Sequence, residues 1–150
     1  MRHVCQLGVA SAQDLVAIRA LLESSGLPTS DLESARPEFA VIREDGQLIA
    51  AGALQRFGAS ALLRSVVVAE NRRRRGLGQV IVWELERLAQ ADRITQLILL
   101  TLAAAEFFVD QGYRIIERSA VPQDMQASEE FRSLCPSSAT CMAKSLPGPA

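Results

Sequence analysis

Leu62-Leu63-Arg64-Ser65-Val66-Val67-Val68-Ala69-Glu70-Asn71-Arg72-Arg73-Arg74-Arg75-Gly76-Leu77-Gly78-Gln79 is the stretch on which the reading of this chain turns. It begins as a Val- and Leu-rich run, the composition of a strand buried on both faces. It then passes through four consecutive arginines into a segment of helical spacing. There Leu77, Val80, Ile81, Leu85 and Leu88 share one face, and Glu86, Arg87 and Gln90 point away from it. Two glycines open that helix. They let backbone amides approach a ligand closely, and a first helical turn presents unpaired N–H groups with a favourable dipole. Strand, Gly-x-Gly and helix together predict a pyrophosphate-binding turn, with guanidinium groups just upstream to fork onto further phosphate oxygens. Taken alone, four arginines also suit a solvated surface turn, although cations at a helix N-terminus oppose its dipole by roughly 0.3–1 kcal/mol, a cost that an anion removes. Neither the Gly-x-x-x-x-Gly-Lys-Ser/Thr loop nor the three-glycine dinucleotide pattern is present, because Ile81 stands where the third glycine belongs.

Outward from this stretch, strand-like and helix-like segments alternate. Residues 4–9 read as a first strand. Ser11-Ala12-Gln13-Asp14 then carries a hydroxyl and a carboxylate at the spacing that satisfies free amides at a helix start. The helix runs to about Ser25 on Leu15, Ile18 and Leu22, and Gly26 and Pro28 stop it. Residues 39–43 and 48–55 form two strands around Asp45-Gly46, a hairpin signal, and 61–69 joins them as a third antiparallel strand after a turn at Gly58. Residues 96–101 predict another apolar strand, 103–110 a short helix, 114–118 a strand after Gly112-Tyr113, 128–134 a helix, and 139–145 a last strand. The sum is an α/β domain around a mixed sheet, spanning 1–146, with a Pro/Gly tail at 147–150.

Composition narrows the function classes. The chain has 150 residues, 49% of them hydrophobic, enough for one sizeable core and too many for a disordered segment. Sixteen Lys and Arg against 17 Asp and Glu leave a net charge of -1 and no global basic excess to mark a nucleic-acid or membrane binder. Lys144 is the single lysine, so the positive charge is almost wholly guanidinium. Residues 1–10 lack the apolar core of a secretory signal, and no run approaches the ~20 apolar residues of a membrane span. A soluble cytoplasmic protein is the expectation. Cys5, Cys135 and Cys141 are too few and too unevenly spaced for a disulfide framework, and His3 lies far from the last two, so no metal site is expected.

Arg73-x-x-Gly76-x-Gly78, after Val66-Val67-Val68 and before an amphipathic helix, resembles the acyl-CoA signature of the GNAT superfamily of N-acyltransferases. Ala104-Ala105-Glu106-Phe107-Phe108-Val109-Asp110-Gln111-Gly112-Tyr113 is similar to its second signature, an alanine, an aromatic pair and then Gly-Tyr or Gly-Phe. Three further groups of residues resemble the small acetyltransferases encoded with arsenic-resistance genes. They are Leu21-Leu22 with Gly26-Leu27-Pro28 and Asp31-Leu32; Ala61-Leu62-Leu63-Arg64-Ser65; and Phe131-Arg132-Ser133-Leu134-Cys135-Pro136 with Ser138, Ala139, Met142 and Lys144.

The resemblance implies a GNAT-like, mostly antiparallel sheet whose splayed strands form the acyl-CoA cleft. It implies acetyl-CoA as co-substrate, no metal, and a small-molecule amine, amino-acid-like or arsenic-containing, as acceptor; a homodimer is left open. The backbone of Val66, Val67 and Val68 would pair with the pantetheine arm. Amides of Arg74, Arg75, Gly76, Gly78 and Gln79, with Arg73 of the signature, would hold the pyrophosphate, and Phe108 would join the cofactor site. Arg74 stands where the superfamily often has glycine. The helical tyrosine that often donates a proton is replaced by Phe107 and Phe108, and Tyr113 is expected to pack. No carboxylate falls on Leu62-Leu63-Arg64-Ser65, where many relatives have one. Glu38 is then a candidate base, with a water relayed through Ser65 or a strand carbonyl as the alternative.

Arg64 is either a clamp for a substrate carboxylate or a charge at the sheet surface, and Gln55 and Arg56 are further substrate candidates. Cys135 and Cys141 either pack or form a soft thiolate site for trivalent arsenic. Two other function classes stand beside the enzyme. One is a non-catalytic acyl-CoA-binding or sensing domain, and the other uses the arginine run to bind nucleic acid.

Overall fold

The computed structural model describes residues 5–147. His3, the predicted strand start at Val4 and all of the predicted tail but Pro147 lie outside the described residues. Seven strands form one sheet in the order β1-β2-β3-β4-β5-β7-β6, from β1 (Cys5–Val9), β2 (Glu38–Glu44), β3 (Gln47–Phe57), β4 (Ser60–Val68), β5 (Gln96–Thr101), β7 (Thr140–Ser145) and β6 (Arg114–Ile115). Every neighbouring pair is antiparallel except β4 with β5. This is the mixed, mostly antiparallel sheet that the sequence predicts.

Local chemistry explains most boundaries. The Asp14 carboxylate accepts the Ser11 N–H at 2.8 Å, and a short 3-10 turn leads into helix α1 (Leu15–Ser24). That helix closes where Gly26 N–H reaches Glu23 O and Leu27 N–H reaches Leu22 O, both at 3.0 Å. In the β2–β3 hairpin Asp45 and Gly46 have φ of 52° and 84°, the paired left-handed turn that matches strand twist. Helices α2 (Leu32–Ala35) and α5 (Gln123–Gln126) are single turns without a periodic stripe, so the sequence did not announce them.

Helix α3 (Leu77–Ala91) lies on one face of the sheet, over Ala40, Ile42, Ala50, Leu54, Leu63 and Leu97. Gly52 is what lets it sit so low. A Cβ there would stand 2.5 Å from Ile81 Cγ2 and 3.0 Å from Leu85 Cδ1. Val82 is buried as well, and Glu86, expected to point away, instead accepts hydrogen bonds from Tyr113 Oη (2.9 Å) and Lys144 Nζ (3.0 Å). The opposite face carries two separate clusters: Ile18, Leu22, Leu32, Phe39 and Val41 under α1 and α2, and Leu62, Ile98, Met125, Phe131 and Cys141 under α5 and the segment after it.

Two predicted elements are shorter than expected. The strand at 114–118 keeps only Arg114–Ile115, because Arg118 Nη2 donates to the carbonyls of Pro136 (2.7 Å) and Ala139 (3.2 Å) and draws the chain off the edge into a 3-10 turn. The helix at 128–134 is one wide π turn, Glu130–Leu134. Among the described residues no helix is long and apolar enough to cross a membrane.

Candidate active-site cleft

The cleft begins with a change of parity inside β4. Ala61 and Leu63 belong to the core under α3, whereas beyond Ser65 the residues packed against that core are Val66 and Val68. A strand alternates faces every residue, so a switch from odd to even positions requires one extra residue. The register supplies it. Ala53 faces Arg64 and Ala51 faces Val67, leaving Ser65 and Val66 together opposite Gly52, and Ser65 takes φ 59°. A non-glycine residue in this left-handed region carries of the order of 1 kcal/mol of strain.

Beyond the bulge, β4 leaves β5. Their ladder covers only Ser60–Leu62 against Gln96–Ile98, while β5 continues along β7 to Thr101. The wedge between them is a cavity of about 940 Å³ with Leu62 to Val68 as one wall and Leu99 to Ala104 as the other. Phe107 and Phe108 of α4 (Ala105–Asp110) close one side in an edge-on pair at 5.0 Å. The α1 exit turn, Ser25-Gly26-Leu27-Pro28, and Leu134-Cys135-Pro136 line the rest.

At one end the wedge shares Val68, Arg73, Gly78 and Phe107 with a second cavity of about 290 Å³ at the start of α3, which Arg72, Arg74, Gly76 and Gln79 also line. Gly76 caps the helix at φ 76°, and Val80 N–H to Gly76 O at 3.2 Å is the first bond of the turn, so the preceding amides have no carbonyl within the helix to bind. A Cβ on Gly78 would project into the wall at 3.7 Å from Phe107 Cζ and 3.9 Å from Val68 Cγ2. Arg74 adopts φ 67°, the conformation that makes glycine the commoner choice there.

The four arginines do not act as one block. Arg72 Nε and Arg75 Nη1 bond the buried Glu44 carboxylate at 2.7 and 3.0 Å, and the bond from Arg72 leads the effects that hold that carboxyl below its usual range. Arg73 bridges Val68 O and Ser25 Oγ, both at 3.2 Å, across the mouth of the wedge. Arg72, Arg73 and Arg74 line the second cavity, with Arg72 also committed to Glu44, and Arg75 is held by Glu44 outside that lining.

The other end of the cleft holds a buried charge cluster. Arg64 is 4% exposed, and its Nη1 and Nη2 donate to both Asp31 oxygens at 2.7 Å. Nη1 also donates to Gln55 Oε1 at 3.0 Å, and Nε lies 3.0 Å from Glu130 Oε2 and 3.4 Å from Ser65 Oγ. Arg64 is therefore not a charge at the sheet surface; it lines the cleft with its fork bound to Asp31. Asp31 precedes α2, and Glu130 opens the π turn, so the cluster ties together the two hydrophobic clusters on this face of the sheet.

The remaining candidates divide. Ser65, Val66, Val67, Val68 and Phe108 line the cleft. Glu38 does not: it pairs with Arg56 at 3.0 Å, and Arg56 also pairs with Asp92 at the end of α3. This partly exposed ion-pair group is not among the residues that line the cleft, so the structure does not bring Glu38 and Arg56 together with Ser65 there. Gln55 reaches the cleft only through Arg64. Tyr113 packs as expected, 3% exposed, with burial pushing its phenol far upward. Cys141, the second residue of β7, is buried. The Cys135 thiol lines the cleft and donates to Glu130 Oε1 at 2.9 Å; burial, then Glu130, pushes it up to about 12. Asp31 entered the sequence reading only within the quoted Asp31-Leu32 and with no role, and Glu130 only as the neighbour of the quoted Phe131, because each sits in a polar, aperiodic stretch.

The model of the acetyltransferase (GNAT) family matches residues 13–113. Among solved structures, the chain is similar to N-acetylglutamate synthase from Neisseria gonorrhoeae complexed with coenzyme A and N-acetyl-glutamate (TM-score 0.82, 19% identity, 98% of this chain). It spans 36% of that longer protein. A Mycobacterium tuberculosis protein in complex with CoA aligns over 95% of this chain and 99% of its own (TM-score 0.81, 24% identity). The ribosomal-protein-S18-alanine N-acetyltransferase from Escherichia coli aligns over 98% and 97% (TM-score 0.74, 18% identity). These likenesses establish the fold.

Proposed function

The chain belongs to the acetyltransferase (GNAT) family, and we propose that it transfers the acetyl group of acetyl-CoA to the amine of a small amino-acid-like or arsenic-containing molecule. The observation that carries this reading is the continuity of the wedge between β4 and β5 with the glycine-opened turn of α3. On this reading the amides of Arg74, Arg75, Gly76, Gly78 and Gln79 hold the pyrophosphate, with the Arg73 and Arg74 side chains beside it. The edge of Val66, Val67 and Val68 that turns away from β3 takes the pantetheine arm, since the β5 ladder has already ended at Leu62. Phe107 and Phe108 exclude water from the wall opposite.

Direct transfer needs a neutral amine, a polarised thioester carbonyl and a proton for the departing thiolate. Neither Phe107 nor Phe108 supplies a proton, and Tyr113 Oη is bound to Glu86. Positioning of the two reactants is then the main contribution of the chain, a source of about 7–11 kcal/mol of barrier lowering where the alignment is good. The amino-acid-like class is supported by the synthase neighbour, whose structure contains N-acetyl-glutamate. The arsenic-containing class rests on the resemblance of residues 131–144 to arsenic-resistance acetyltransferases. A soft metalloid site at Cys135 and Cys141 receives no support, because the two thiols have different surroundings and Cys135 is held protonated.

Thiol release from acetyl-CoA against a panel of amines and amino acids, with CoA binding followed by calorimetry, tests this reading. Turnover of at least one amine is expected. No turnover and no CoA binding would remove it. Tight CoA binding without turnover would select a non-catalytic acyl-CoA-binding domain, a reading favoured by the absence of a cleft tyrosine.

A further inference from the structure

We propose that Glu130 is the receptor of the acceptor's ammonium group, its Oε2 accepting a hydrogen bond from that nitrogen and then one of its protons. The inference deepens the acetyl-transfer reading and rests on it. Glu130 lies outside residues 13–113, so nothing in the family match assigns it a role.

Geometry carries the argument. Glu130 is 6% exposed and lines the wedge. Its Oε1 takes the Cys135 thiol at 2.9 Å, but its Oε2 is buried without a hydrogen-bond donor. Arg64 Nε stands 3.0 Å from that oxygen as an ion pair without the alignment of a hydrogen bond. Buried carboxylate oxygens are ordinarily satisfied, so an orphan on a residue that lines a cavity points to a donor that arrives with the ligand.

Charge points the same way. The groups facing Glu130 are Arg64 from β4, Asp31 beyond it, the Cys135 thiol, and Arg118, whose field reaches Cys135. Arg64 gives its fork to Asp31, so one guanidinium is shared between two buried carboxylates. A small primary ammonium brings a positive charge of its own and up to three donors. Trivalent metal-type ligation is not needed to account for the cluster: among the described residues no three His, Cys, Asp or Glu side chains gather as a metal site.

The step balances. Glu130 Oε2 takes one proton from the ammonium, and the freed nitrogen lone pair forms the N–C bond to the thioester carbonyl carbon. The C–S bond breaks with its electron pair going to sulfur, and a second proton leaves the nitrogen for the thiolate. Glu130 returns its proton to solvent as the products leave.

Glu130→Gln tests the proposal, with CoA calorimetry and thermal melting as checks on the fold. CoA affinity within threefold of wild type is expected, together with a 10²-fold or greater loss of kcat/KM for a primary amine at pH 7, in the range of general-base contributions. Calorimetric binding of that amine to the CoA-bound protein, which involves no turnover, should weaken at least tenfold. Unchanged kcat/KM and unchanged amine binding would overturn the role of Glu130 and leave acetyl transfer standing. Absence of wild-type turnover would overturn both. If the variant does not fold, the wild-type profile decides. Log kcat/KM for an aliphatic amine stays flat between pH 6 and 9 when the ammonium form binds to a carboxylate, within roughly 0.3 log units. A rise of one log unit per pH unit would overturn the proposal, since it means that only the neutral amine enters.

Discussion

Arg64→Met removes the one cation between two buried carboxylates while keeping much of the side-chain volume. In the native cluster Asp31, Arg64 and Glu130 are 2%, 4% and 6% exposed, so water cannot replace the lost guanidinium. Breaking a buried ion pair by deleting one partner costs about 3–5 kcal/mol, because the other charge stays behind uncompensated. Here two stay behind, and the Gln55 oxygen loses its donor as well, which places the expectation at the upper end. For a chain of this size the loss corresponds to a fall in Tm of about 6–20 °C, at roughly 2–4 °C per kcal/mol. Urea denaturation of both proteins at pH 7 measures the deficit. A deficit below about 1 kcal/mol would refute the cluster as the structural tie.

Gly52→Ala forces a methyl to within 2.5 Å of Ile81 Cγ2 and should cost about 1–3 kcal/mol of overpacking; adding Ile81→Leu, which moves the branch off Cβ, should recover part of it, and an additive double-mutant cycle would deny the contact. Gly78→Val fills the wall beside Phe107 and should weaken CoA binding at least tenfold by calorimetry with little change in Tm. Cys135, pushed up to about 12 from 9.0, should carry about a thousandfold less thiolate than a free cysteine at pH 8 and resist iodoacetamide accordingly. The sign of its stability contribution follows from a folded value above the unfolded one. The contribution is complete below pH 9.0 and lost as pH rises towards about 12, so Tm should fall across that window and fall less in Cys135→Ala.

The stretch from Leu62 to Gln79 was legible because its signals are local: an apolar run, a Gly-x-Gly and a 3.6-residue period. The bulge within it was not, because Val66, Val67 and Val68 are all apolar and a parity switch leaves no mark on a run without polar positions. Arg64 was misread for a different reason. Its partners Asp31 and Glu130 come from distant parts of the chain, and no local pattern says which carboxylates a mid-strand arginine will meet. Glu38 and Arg56 show the converse: both flank the right strands, but the β2–β3 register sets Glu38 against Leu54, and Arg56 lies beyond that pairing, towards the hairpin and Asp92, so neither lines the cleft. Glu86 looked solvated from its place on the helix until Lys144, brought alongside by β7, paired with it.

The electrostatic polarity of the cleft follows from the same two features that open it. The bulge at Ser65 sends β4 away from β5, and the residues on either side of it then serve opposite ends. Arg64, before the bulge, is drawn into the interior by Asp31 and brings Glu130 beside it, which places two buried carboxylates at that end. Val68, beyond it, ends at the turn where Arg73 and Arg74 stand beside the unpaired amides of α3, with positive potential. Glu44 sharpens this division by neutralising Arg72 and Arg75, so the positive field concentrates on Arg73 and Arg74. On the proposed reading, a molecule with a pyrophosphate at one end and a thioester at the other has only one favourable orientation in such a field. That orientation brings the thioester towards the carboxylate that attracts an ammonium. Reversing the charge of Arg73 should therefore weaken CoA binding without altering the preference among amines, whereas Glu130→Gln should alter the preference and leave CoA binding in place. If the two substitutions produced the same phenotype, the division of the cleft into a phosphate end and an amine end would be wrong.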